Sequence, residues 1–193
     1  SELFERVEVQ RGASTFLNGM APGGRNKRGT VNLLPKRATQ TPIRKVTISS
    51  ENAENGKIAL DVGQRFGANQ AYGVRANVAY QDGGTAVDDE KAKLGLVGLG
   101  LDYRQDNMRL SADLGYQNNE LQKTRTNVTL SGLTRVPNAA DAKSNWSQPW
   151  SYSNEKDVFG TLRAEYDLSP NLTAYGAYGF RHGEEENSLA NLT

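Results

Sequence analysis

The 193 residues contain no cysteine and a single histidine. The first absence excludes a disulfide framework and any thiolate metal site, and it suits an oxidising compartment. The second leaves little for general acid–base chemistry, and no nucleophile constellation surrounds Ser14 or His182, so the chain does not read as an enzyme and no cofactor is expected. Long apolar runs are missing too. None approaches the roughly 20 residues of a membrane-spanning helix, and a mean hydropathy of −0.67 excludes a helical membrane protein. Charge of one sign is equally scarce: 23 basic against 22 acidic residues leave +1, which gives no general attraction to nucleic acid. Ser1-Glu2-Leu3-Phe4-Glu5-Arg6 lacks the basic segment and apolar run of a signal peptide.

What the chain does have is alternation. Ile58, Leu60 and Val62 alternate with Lys57 and Asp61; Tyr72, Val74, Ala76, Val78 and Tyr80 with Arg75, Asn77 and Gln81. Val97, Leu99, Leu101 and Tyr103 face away from Gly98, Gly100 and Asp102, and Leu110, Ala112, Leu114 and Tyr116 oppose Arg109, Ser111 and Asp113. Two further runs, 157–168 and 172–181, repeat the device. On a strand each such run has one greasy and one wet face. The period alone fits a soluble β-sandwich as well as a barrel. The connections discriminate: 67–70, 105–107 and 169–171 are tight turns of turn-tolerant residues, whereas 82–90 and 118–155 read as longer loops. Alternating short and long connections, with tyrosines near the run ends, are the pattern of a transmembrane barrel. With a short strand over 45–51 the count is about seven antiparallel strands. An odd number leaves two open edges, which a bilayer does not tolerate, so the chain reads as an all-β fragment of a transmembrane β-barrel whose edges invite self-association and whose greasy face meets outer-membrane lipid. A soluble lectin- or adhesin-like sandwich and a passive porin-like barrel are the alternatives.

The first forty residues differ in kind. A strand-like alternation over 2–10 is followed by small residues, a basic glycine-rich stretch, Pro22-Gly23-Gly24-Arg25-Asn26-Lys27-Arg28-Gly29, and a second strand over 30–34. The segment ERVEVQRGASTFLNGMAPGGRNKRGTVNLLPKRAT resembles the C-terminal part of the plug domain of TonB-dependent siderophore receptors. Glu5, Arg6, Glu8, Arg11, Gly12, Gly19, Gly23, Gly24, Val31, Asn32, Lys36 and Arg37 stand at corresponding places. Asn18 replaces a common tyrosine and Ala13 a common proline. The stretch NWSQPWSYSNEKDVFGTLRAEYDLSPNLTAYGAYGFR is likewise similar to the early barrel of such receptors.

The resemblance implies a plug end over 1–43, the first barrel strands over 44–193, a complete barrel of about 22 strands, and import of ferric siderophores across the outer membrane of a Gram-negative cell. Energy would come from TonB through a plug segment that these residues do not contain. It further implies that Glu5, Arg6, Glu8 and Arg11 face charged groups of the barrel lumen, where buried charges survive when paired; a solvated strand face is the bland reading. Gly23, Gly24 and Gly29 suit a turn between plug strands, with a phosphate cradle as the alternative, although the GxxxxGK[ST] spacing of a P-loop is absent. His182 beside Glu184, Glu185 and Glu186 suggests a metal site only weakly against a solvated loop. In the long loop, Trp146, Trp150, Tyr152 and Arg135 offer aromatic faces and a cation to a bulky iron chelate; anchoring the loop on the barrel rim would use the same aromatics.

Overall fold

The computed structural model describes residues 2–11, 29–52, 55–128, 138 and 141–192. Two antiparallel strands, β1 (Phe4–Arg11) and β2 (Gly29–Pro35), form a small sheet of their own. A seven-stranded antiparallel sheet follows: β3 (Ile43–Asn52), β4 (Asn55–Phe66), β5 (Tyr72–Gly84), β6 (Lys91–Gln105), β7 (Met108–Gln122), β9 (Tyr152–Ser169) and β10 (Leu172–Ser188), each paired with the next. Between β7 and β9 in the chain lies β8 (Asn127–Val128), which makes a two-residue parallel ladder with β11 (Asn191–Leu192). The Pro22–Arg28 stretch, and Gly23 and Gly24 with it, falls outside the described residues; Gly29 opens β2 opposite Arg11.

The tight turns form as their residues dictate. A 3-10 turn over Ala68–Gln70 joins β4 to β5 with Gly67 at φ 82° and Asn69 and Gln70 both at φ 54°. A side chain at Gly67 would also collide with the ring of Tyr72, 2.8 Å from its Cβ position. Asp106, at φ 46°, turns β6 into β7. These are left-handed conformations that glycine, asparagine and aspartate tolerate best.

The strands run further than their apolar alternation. β7 continues to Gln122 and β9 begins at Tyr152, so the long connection is 123–151 rather than 118–155; the connection expected over 82–90 shrinks to 85–90. His182 and Glu184 to Glu186, expected in a loop, lie inside β10. Their polarity is partly answered across the strands: Glu184 stands opposite Lys156 and Tyr152 Oη donates to Glu186 Oε1 at 3.2 Å, while Glu185 faces Glu155. A spanning strand needs only about 10 residues, so the 18-residue β9 projects well past the apolar belt.

The two faces settle what kind of sheet this is. Ile48 is 78% exposed and Leu114 50%, while Arg75 and Asn77 are 5% exposed, Asp102 7% and Asp113 8%. The greasy face is outside and the charged face is covered, the inverse of a sandwich, in which apolar faces pack together. Phe66 stacks on Tyr72 at 5.7 Å and Tyr72 tilts against Tyr103 at 5.0 Å, forming an aromatic patch at the short-turn end. Tyr80 lies eight residues along β5. That is about 26 Å of strand, or roughly 20 Å of height at a ~40° tilt, close to the ~25 Å apolar band between the aromatic girdles of an outer-membrane barrel.

Candidate functional site

The covered face is sealed by the segment between β2 and β3. Register places Gly63, Arg75, Gly100, Asp113 and Thr161 in one row across five strands, with Asp61, Asn77, Gly98 and Gly115 in the next row outward and Arg65, Gly73 and Asp102 in the row toward the short turns. Onto these rows lie Lys36, Arg37 and Ala38. Lys36 Nζ donates to Asp61 Oδ2 at 3.0 Å, and Arg75 donates to the same carboxylate at 2.5 and 2.8 Å. Arg37 forks onto Asp113, its Nη2 2.6 Å from Oδ2, and Thr161 Oγ1 donates to that oxygen at 3.0 Å. Arg75 Nη1 also donates to the carbonyl of Arg37 at 2.9 Å, and Arg65 Nη1 to that of Ala38 at 3.1 Å. Wall arginines thereby hold the backbone of the segment while wall aspartates hold its side chains.

The geometry depends on glycine at two places. A Cβ on Gly100 would sit 2.9 Å from the carbonyl oxygen of Lys36 and 3.0 Å from Arg37 Nη1, so only a bare backbone lets the segment lie flat on β6. Gly73 separates Arg65 from Asp102 across two strand spacings, and a Cβ there would stand 2.7 Å from Arg65 Nη1. The pair closes over it at 2.6 Å with both side chains almost wholly buried. Neither Asp102 oxygen receives a well-directed N–H, so that contact is mainly one of charge. Further along, Leu3 rests on Gly98, Lys57 pairs with Glu2, and the Lys36 N–H donates to the Leu3 carbonyl at 3.1 Å. A small apolar cluster of Ala59, Ala79 and Leu96 packs against Leu3.

At the opposite end from the short turns, the loops are pinned together. Asn145 Nδ2 donates to the carbonyls of Asp88 and Lys123, both at 2.9 Å, and the Asp88 N–H donates to the Lys143 carbonyl at 2.9 Å. Buried Ser151 closes the base of the long loop, accepting the Lys123 N–H at 2.8 Å through its carbonyl. A cavity of about 1040 Å³ lies here, bordered by Asp82, Glu120, Trp150 and Tyr152 among others. Asp82 and Glu120 share strand parity with the outward-facing Tyr80 and Tyr116, so the cavity opens mainly on the outer side of the wall.

A relative in Yersinia enterocolitica, the ferrichrome receptor FcuA, is 42% identical over 185 residues, covering 96% of this chain and 24% of its own length. The solved ferric preacinetobactin receptor BauA of Acinetobacter baumannii superposes over 100% of the chain with a TM-score of 0.89 at 36% identity, using 29% of its own length. In sequence and in fold the chain is similar to one part of these siderophore receptors. The chain spans about a quarter of the length of those siderophore receptors. The pyoverdine outer-membrane receptor FpvA of Pseudomonas aeruginosa shares the fold at 21% identity and a TM-score of 0.79, over 95% of this chain and 27% of FpvA. No family model matches the chain. The two more similar relatives are named as receptors for iron chelates, and the seven-stranded sheet of this chain carries its greasy face on the outside.

Within the chain the residues singled out from sequence fall in three groups. Arg6 pairs with Glu8 on its own strand at 2.6 Å, and Glu5 and Arg6 border a cavity of about 970 Å³ beside Arg37, Arg65 and Arg104. Arg11 lies in β1, its side chain outside the described set. Trp150 and Tyr152 come together on the outer cavity, and the carboxylate of Glu186, accepting the Tyr152 hydrogen bond, holds that phenol above its ordinary pKa. Trp146 is exposed elsewhere on the loop, and Arg135 lies outside the described residues. Among the described residues no three histidine or carboxylate groups gather as a metal site, and His182 sits 3.6 Å from Glu184 alone. Lys36, Arg37, Asp61, Asp113 and Gly100 were not assigned this role from sequence. The readable signal was the pair of glycines on the wet side of β6, alternating with Val97, Leu99 and Leu101.

Proposed function

We propose that residues 1–43 are the C-terminal end of a plug, that residues 44–193 are the first strands of the surrounding barrel, and that the whole receptor binds ferric siderophores and imports them with energy from the TonB complex. The observation that carries this reading is the seam: a charged, largely buried contact between residues 36–38 and the covered face of a sheet whose other face is greasy. A passive pore needs no such closure, whereas a gated importer needs its lumen blocked until energy is supplied. Trp146, Trp150, Tyr152 and Arg135 are assigned to recognition of the chelate on the outer loops, and Glu5, Arg6, Glu8 and Arg11 to contacts of the plug with the lumen.

The test is uptake of radiolabelled iron by iron-starved cells that carry this receptor as their sole siderophore receptor, supplied with ferrichrome and, separately, with a catecholate and a carboxylate chelate. Uptake of at least one chelate that stops when a protonophore collapses the proton-motive force supports the reading. Uptake that survives the protonophore points to a passive pore, and no uptake of any chelate overturns the siderophore assignment. Removing residues 138–150 from a receptor that still reaches the membrane is expected to abolish uptake if the loop recognises the chelate.

A further inference from the structure

The membrane-facing side of the sheet is not evenly covered. Phe66, Tyr72 and Tyr103 build an aromatic ridge at the short-turn end, and Leu101, Leu110 and Leu162 stand above it. Among them, register places two alanines where the neighbouring positions are large: Ala112 between Leu101 and Leu162, and Ala164 beside Leu110. The result is an open apolar cavity of about 430 Å³ whose walls present essentially no polar atom. The sheet fills comparable space elsewhere. One row further outward, Gly160 is roofed by the ring of Phe180 and by Leu114, which would stand 2.5 and 3.1 Å from a Cβ there. Gly176, next to Ala164 in register, has nothing within 4 Å of its Cβ position, so no side chain of the described residues closes the cavity at that end.

An apolar hollow in water collapses or is covered, because each exposed apolar area is unfavourable. This one lies in the lipid-facing belt, where the adjacent phase is hydrocarbon, and it is continuous with that interface. We propose that it is a seat for one acyl chain of a phospholipid in the periplasmic leaflet, held in place rather than exchanging freely with the bulk bilayer. The volume is on the order of fourteen water-sized groups at ~30 Å³ each, the scale of a single fatty-acyl tail. Location fixes the leaflet: short turns mark the periplasmic end of an outer-membrane barrel, and the aromatic ridge lies where lipid headgroups begin. The ridge closes the end of the hollow nearest the headgroups, so the chain lies against Ala112 and Ala164 with its glycerol level with Tyr72 and Tyr103. Retention follows from the van der Waals contacts that a walled hollow adds over a flat wall. The seat depends on the outward face of the strands and stands whatever chelate the receptor carries.

The experiment is native mass spectrometry of the full-length receptor, extracted from outer membranes in mild detergent, with lipid identified by fragmentation of the retained species. The wild type is expected to carry one phospholipid per receptor after washing. Ala112→Phe, which fills the hollow, is expected to lower that occupancy at least fivefold, and Ala164→Leu to do the same should the larger ring hinder folding. Val97→Phe, equally lipid-facing but outside the hollow, is expected to leave occupancy unchanged. Wild type free of phospholipid, equal occupancy in wild type and both filling variants, or a receptor dimer as the species lost on filling would each overturn the proposal.

Discussion

Breaking the pair between Arg37 and Asp113 tests the seam at its centre. Removing one partner of a fully buried ion pair costs about 3–5 kcal/mol, because the other charge is left without compensation, whereas exposed pairs are worth only ~0–1 kcal/mol. This pair lies between those limits: the Arg37 side chain is 25% exposed and that of Asp113 11%. Arg37 in Asp113→Ala would keep partial access to water but lose a forked carboxylate, and Thr161 would lose its acceptor. An intermediate loss of about 2 kcal/mol follows, which is roughly 30-fold in the equilibrium between closed and locally opened seam. Because these 193 residues contain no cysteine, a thiol introduced among them is the single one in this part of the receptor. Ala38 is 6% exposed and its carbonyl is held by Arg65, so a thiol in Ala38→Cys is shielded while the seam is closed. Maleimide labelling of Ala38→Cys is expected to run about 30 times faster in the Asp113→Ala background. A rate raised less than about threefold would refute the assignment of Asp113 as a principal tie, and a double-mutant cycle with Arg37→Ala that gives no coupling would refute it independently.

Three further outcomes follow from other parts of the sheet. Gly100→Val is expected to speed labelling of the same thiol while leaving the barrel heat-stable on gels, since its Cβ collides with Lys36 and Arg37 rather than with other wall residues; unchanged labelling would mean that the segment lifts off β6 without strain. Leu114→Lys, on the greasy face, is expected to lose about 2–4 kcal/mol in folding titrations into lipid vesicles, whereas Gln117→Lys, on the lumen side of the same strand, stays within ~0.5 kcal/mol; equal losses would contradict the assignment of faces. Asn145→Ala removes the two side-chain bonds to the carbonyls of Asp88 and Lys123 and leaves the backbone bond from Asp88 to Lys143 in place. Proteolysis within residues 141–150 is expected to accelerate about tenfold or more, from hydrogen bonds worth ~1 kcal/mol each, and an unaltered digestion rate would show that the loops do not depend on that side chain.

Much of the wall was legible in the sequence because its information is local. Alternation from Lys57 to Phe66, from Tyr72 to Gln81 and in the later runs fixes both faces of each strand, and Gly67, Asn69 and Asp106 mark turns by their backbone tolerance alone. The strand ends were less legible. Beyond Tyr80, Tyr116 and Val158 the side chains are polar on both faces, so residues 182–186 look like loop although they continue the ladder against 154–158. The seam was least legible. Lys36 meets a partner 25 residues away and Arg37 one 76 residues away, and a basic pair ending a strand says nothing about which of 22 carboxylates will receive it. Glu5, Arg6 and Glu8 stood out by motif, whereas the place of Lys36 and Arg37 over the wall depends on the register of four strands.

The central claim is that the sheet turns its apolar face to lipid and its charged face to a lumen sealed by residues 36–38. A nitroxide scan along β7, from Met108 to Gln122 in the full-length receptor in lipid vesicles, tests it most directly by comparing accessibility to oxygen, which concentrates in the bilayer, with accessibility to a water-soluble nickel chelate. The account predicts oxygen accessibility with a period of two, high at positions 110, 112, 114 and 116 and low at 111, 113, 115 and 117, with position 113 shielded from both probes. Oxygen accessibility without that alternation, or highest at 111, 113 and 115, would contradict it.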